Sequence, residues 1–176
     1  QLRNLGIDVG KETVIMNRTF IQHGNPYLCP DQGIKLHLSA MNKEDYKQLL
    51  NDVVPDLIAA GAVFKVLRPE QFDALYQSET QAGKTITIYQ TPTFQAREFF
   101  ARHPELFEQS GQNIIGDYNF GGRVYGRYGA FRGHTVMDPN TGFVYQDDRH
   151  RPYPEFMSGL HINDFIRGCE SGNGYG

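Results

Sequence analysis

The sequence predicts an α+β fold in one domain: one mainly antiparallel twisted sheet with two main helices. Three observations predict it. Several short runs alternate apolar and polar residues with the period of two expected of half-buried strands. Two longer stretches carry apolar residues at helical spacing. The 176 residues suit a single core, and no repeat, low-complexity tract or linker divides them.

The elements follow in order. "ETVIMNRTFIQHGNPYL" (residues 12–28) alternates as a strand or hairpin, with a turn expected at Gly24-Asn25-Pro26. "GIKLHLSA" (33–40) is a strand. From Asn42, an N-cap, residues 44–58 repeat Tyr46, Leu49, Leu50, Val53, Val54 and Leu57 at helical spacing, and the helix ends near Gly61. "AVFKVLR" (62–68) is a strand, and Pro69 opens a short helix through Leu75 and Tyr76. "QAGKTITIYQ" (81–90) is a glycine-led strand. "PTFQAREFFARHPELFEQSG" (92–111) is a second amphipathic helix, interrupted before Pro104. "NIIGDYNF" (113–120) and "GRVYGRYGAF" (122–131) read as strands, and 137–154 as a turn-rich loop. Residues 1–32 are expected to form an N-terminal extension or hairpin, and 160–176 a poorly ordered tail.

Composition narrows the function. The net charge of −3 gives no general case for nucleic-acid or membrane partners. No apolar run has the length of a membrane helix, and the cysteine usage makes a reducing, cytoplasmic compartment the expectation. Cys29 and Cys169 are far apart and form no CxxC, which argues against a zinc site and a disulfide scaffold. His23 sits beside a turn, His103 precedes Pro104, His134 and His161 have no ligand-like spacing with any acid or cysteine, and no metal or other cofactor is expected.

"GIDVGKE" (6–12) resembles the first strand of ribonuclease H-like nucleases, where an Asp holds a divalent metal. That chemistry needs further carboxylates converging on the ion. Asp52, Asp56, Asp117 and Asp138 offer no acidic pair beside a strand. A metal-dependent nuclease therefore stands only as an alternative.

The chemistry-bearing pattern is basic. In "IKLHLS" Lys35 and His37 alternate with Ile34, Leu36 and Leu38, so both share one strand face. Lys65 stands on the next strand, Lys84 at the start of "GKTITIY", and Arg127 within "VYGRYGAF". "DDRHRPYP" adds Arg149, His150 and Arg151. Single cations on successive strands of an acidic protein point to an anion pocket. Arginine supplies bidentate contacts to phosphate and lysine supplies point charge.

The ordered set "GIKLHLSA", "VFKVLRPEQF", "GKTITIYQ", "GRVYGRYGAF" and "DPNTGFVYQDDRHRP" spans residues 33–152. It is similar to the phosphothreonine/phosphoserine lyases, a family of type III effector enzymes that also includes the N-terminal lyase domain of class III and IV lanthipeptide synthetases. The resemblance implies metal-independent β-elimination of phosphate from a phosphopeptide, leaving a dehydroamino acid. It implies Lys65 as the base, His37 as the general acid, and Lys35 at the carbonyl or phosphate. Lys84, Arg127, Arg149 and Arg151 are implied on the phosphate side, with Tyr89 as a hydrogen-bonding partner.

The implied partner is a phosphorylated peptide or protein, with a kinase domain in the same polypeptide if the chain is a synthetase part. The implied compartment is the bacterial cytoplasm, or host cytoplasm for an effector. Two departures stand out. The loop "YQSETQAG" lacks a basic residue that some members carry, and Gln90 and Thr91 follow Tyr89 where another is found. Three outcomes stay open: weaker phosphate affinity, Lys84 taking over that work, or a retained fold with lost activity. A non-catalytic phosphopeptide-binding module remains the alternative from a second class.

Overall fold

The computed structural model describes residues 2–8, 14–29, 32–89, 91–131 and 134–147. Within them the chain is α+β, with a seven-stranded antiparallel sheet and helices on one face. The strands are β1 (Val14–Met16), β2 (Phe20–His23), β3 (Gln32–Leu38), β4 (Val63–Leu67), β5 (Ile86–Tyr89), β6 (Tyr118–Gly121) and β7 (Val124–Ala130). Their order across the sheet is β1-β2-β4-β5-β3-β7-β6. The helices are α1 (Lys43–Ala59), α2 (Phe72–Tyr76), α3 (Ala96–Arg102) and α4 (Glu105–Glu108). A separate hairpin joins β8 (His134–Met137) to β9 (Val144–Asp147).

Alternation divides the sheet into two faces. Ile34, Leu36 and Leu38 of β3 share a side with Ile86 and Ile88 of β5, Phe64 and Val66 of β4, and Val124 of β7. All are buried in one core with Tyr46, Leu49, Leu50, Val53, Val54 and Leu57 of α1 and Phe99 and Phe100 of α3. Burial of this apolar face drives the layering, at about 25 cal/mol per Å². The intervening residues, Lys35 and His37 among them, are left to the opposite face.

Local chemistry sets the boundaries. The Asn42 side chain accepts from the Asp45 N–H at 2.9 Å, and Glu44 and Asp45 suit the positive end of the α1 dipole. The α1 turn closes at Gly61, with φ +72°. The second amphipathic stretch breaks at His103 into α3 and α4, as Pro104 requires.

β1 and β2 form the expected hairpin, with its reversal at 17–19: Asn17 Oδ1 accepts from Thr19 N (2.9 Å) and Phe20 N (2.6 Å), closing an Asx turn. The expected turn at Gly24–Pro26 is present and leads into a 3-10 turn, Pro26–Leu28, capped by Asn25. Two expectations are corrected. Of "NIIGDYNF" only the part from Tyr118 onward is strand; the chain before it is tied to Ser39 as described below. Of 137–154, the described part to Asp147 is a hairpin rather than a loop, since its turn signals, Asn140 to Gly142, are the connection between β8 and β9; 148–154 lie outside the described residues. The tail 160–176, with Cys169 and His161, lies outside the described residues. Among the described residues no helix is long and apolar enough to cross a membrane.

Candidate active site

Lys65 on β4, Thr87 on β5, His37 on β3 and Tyr125 on β7 are successive Cα partners, so the four stand in one row across the polar face. One pleat along, Lys35 is the partner of both Tyr89 and Arg127. Neighbouring strands lie about 4.8 Å apart, so Lys65 and His37 flank Thr87 at a Cα separation of about 10 Å. Antiparallel register thus gathers cations that the sequence scatters over 90 residues.

These side chains line a cleft of about 140 Å³ formed by Phe20, Lys35, His37, Lys65, Gln81, Lys84, Thr87 and Arg127. The volume matches a few waters at about 30 Å³ each, the scale of a small anion. Among the described residues none that lines the cleft is acidic. Lys84 is buried, and among the described residues the Arg127 Nε and the Thr87 Oγ1 are buried with no hydrogen-bond partner. Gathered like charges and orphaned donors are costly; an anion relieves both.

Electrostatics prepare a base. Burial holds the Lys65 ammonium below its ordinary pKa, and the Lys84 charge lowers it further. Against this, the Lys65 Nζ sits 4.3 Å from the centroid of the Phe20 ring, which favours the charged form.

His37 is 4% exposed, and its Nδ1 lies 2.5 Å from Asp117 Oδ2. The Asp117 side chain is fully buried. With Nδ1–H donated to the carboxylate, Nε2 is the ring nitrogen left for chemistry. Burial lowers the His37 pKa; Asp117 opposes the shift, while Lys84 and Lys35 add to it. Burial and the two lysines hold the imidazole toward its neutral form, and a dianionic ligand opposes that bias.

The chain before Asp117 is pressed into place by two glycines. A Cβ on Gly111 would collide with the Ser39 carbonyl oxygen, and one on Gly83 would stand 2.8 Å from Ile114. Ser39 Oγ donates to the Gln112 carbonyl at 2.6 Å. This close approach ties the end of β3, the loop before Lys84 and the segment leading to Asp117 into one unit. Arg123 reinforces it, donating to Asp45 at 2.6 and 2.7 Å, to Ser39 O at 3.0 Å and to Gln109 at 3.1 Å.

Of the expected site residues, Lys35, His37, Lys65, Lys84 and Arg127 come together. Tyr89 shares their face but does not line the cleft: it is buried with Cys29 and Val63 and meets Phe131 edge-on at 5.4 Å. Burial also raises its hydroxyl pKa and keeps it protonated. Arg149 and Arg151 lie outside the described residues.

Sequence reasoning missed Asp117, Thr87, Gln81 and Phe20. The period of two from Tyr89 was a signal for Thr87. Nothing in sequence ties Asp117 to a histidine 80 residues away.

His103 stands apart from the cleft. His103 meets Asp56 at 2.6 Å and Glu105 at 3.1 Å on the helical side. Among the described residues no three His, Cys, Asp or Glu side chains converge in a way that holds a metal ion.

Comparison with known families matches residues 16–151 to the family described as RamC, N-terminal domain. No curated protein matches the chain.

Proposed function

The chain belongs to the RamC N-terminal domain family, and from that premise we propose that it is a phosphothreonine/phosphoserine lyase. The observation that carries the reading is the row Lys65–Thr87–His37 at a cleft lined by cations. Neutral Lys65 takes the α-proton of the phosphorylated residue. The electron pair forms the Cα=Cβ double bond and the Cβ–O bond breaks. His37 Nε2 gives its proton to the departing oxygen, and inorganic phosphate leaves. Lys35, Lys84 and Arg127 hold the phosphate and oppose the charge that develops. Gln81 occupies the loop where some similar enzymes carry a basic residue, and buried Lys84 supplies charge beside it.

Asp117 fixes the histidine tautomer and stabilises the imidazolium that the dianionic substrate induces. A family described as an N-terminal domain favours a part of a longer protein over a standalone effector. The substrate is then a precursor peptide phosphorylated by a kinase domain of the same polypeptide, in the cytoplasm.

The test is mass spectrometry of a phosphothreonine peptide incubated with the protein in EDTA. The expected product is lighter than the unphosphorylated peptide by one water and adds thiols. The assigned roles need no metal, so EDTA leaves the rate intact. Phosphate release with restored threonine makes the protein a phosphatase. Binding without release makes it a phosphopeptide-binding module, and loss of all activity in EDTA reopens the metal-dependent reading.

A further inference from the structure

We propose that the Thr87 hydroxyl is a substrate-binding group that donates to a phosphate oxygen, the bridging oxygen of a bound ester. This rests on the reading of the cleft as a phosphate site. Thr87 is the Cα partner of both Lys65 and His37, on either side of it in the sheet. The leaving oxygen must lie between the group that takes the α-proton and the group that protonates the departing phosphate. Thr87 is therefore the side chain of the cleft floor nearest that position.

The threonine is 1% exposed, yet among the described residues its Oγ1 has no hydrogen-bond partner. Contrast Thr85 on the same segment, whose Oγ1 donates to the Leu38 carbonyl at 2.6 Å. A buried hydroxyl without a partner is destabilising, and valine has the same shape without that penalty. The retained hydroxyl is explained by a ligand oxygen that it meets.

The experiment compares wild type, Thr87→Val and Thr87→Ser, using inorganic phosphate as the probe, by calorimetry and by thermal unfolding with and without phosphate. Thr87→Val is expected to bind phosphate about 10-fold more weakly, the scale of one hydrogen bond to a charged group. Its unfolding temperature without phosphate is equal to or above wild type. Thr87→Ser keeps the affinity within about 2-fold, since it keeps the donor.

The proposal is overturned if Thr87→Val binds phosphate like wild type, if Thr87→Ser is as weak as Thr87→Val, or if Thr87→Val melts lower without phosphate, which marks a structural bond. Wild type that fails to bind phosphate overturns it as well. Wild type that binds phosphate through Thr87 but eliminates nothing refutes the lyase and leaves this assignment standing.

Discussion

His37 and Asp117 meet at 2.5 Å across 80 residues of sequence, one from the middle of the sheet and the other from the chain just before β6. The contact commits one imidazole nitrogen to a buried carboxylate and turns the other to the cleft. Asp117→Asn keeps the shape and removes the charge. It is expected to lower kcat on the order of 100-fold, the lower part of the general acid–base range, with little change in KM. Because Asp117 raises the His37 pKa against burial, the variant's high-pH limb moves to lower pH. Imidazole titration by NMR reports the same shift without any turnover.

Lys65→Ala is expected to abolish elimination while phosphopeptide binding persists, because it removes the base and leaves Lys35, Lys84 and Arg127 at the phosphate. The wild-type rate falls at low pH as Lys65 gains a proton and at high pH as His37 loses its own, giving a bell. Lys84→Met moves both limbs. The Lys84 charge lowers the Lys65 and the His37 pKa, so its removal shifts the whole bell to higher pH and weakens substrate capture together. An unmoved acid limb in Lys84→Met dissociates Lys65 from it.

Much of this site was legible because strand alternation is a local property. Lys35 and His37 had to share a face once Ile34, Leu36 and Leu38 were buried, and the same rule put Lys65 opposite the apolar pair Phe64 and Val66. Strand order was not legible, and it is β5 that stands between β4 and β3 and makes Thr87 the central residue. Asp117 was hidden for a related reason. Its place depends on Gly83, Gly111 and Ser39 touching across the fold, which no periodicity encodes. Tyr89 misled because sharing a face is weaker than sharing a cavity: the end of β5 meets Phe131 and Cys29 instead.

Arg127→Met is expected to weaken inorganic phosphate binding by about 10-fold or more, as loss of a charged hydrogen-bond donor does. Folding is little affected. Among the described residues the Arg127 Nε forms no hydrogen bond, and its β-sheet partner is the like-charged Lys35. Removing one of two facing cations relieves repulsion when no anion is bound. Calorimetric phosphate binding alongside urea unfolding separates the two effects; a marked loss of stability with unchanged affinity makes Arg127 structural.

Arg123 is the opposite kind of arginine. It is buried, it forks onto Asp45 with two bonds, and it spends its remaining donors on Ser39 and Gln109. The pair fastens the start of α1 to β7 and steadies the segment leading to Asp117. Arg123→Met leaves the partly exposed Asp45 beside a partner that has gone, and is expected to destabilise the fold by about 2 kcal/mol, below the range for breaking a fully buried pair. The hydrogen bonds from Arg123 hold the Asp45 pKa below its ordinary value. A carboxylate lowered in this way adds stability that is fully present above its unfolded pKa of about 3.9. That stability is lost as the pH falls through the lower folded value. Wild type should therefore lose this increment only in acid, and Arg123→Met should lack it at every pH. Urea unfolding of both proteins at neutral pH and near pH 3 checks the pair. A stability difference that does not narrow in acid shows that Arg123 acts through Ser39 and Gln109 and not through Asp45.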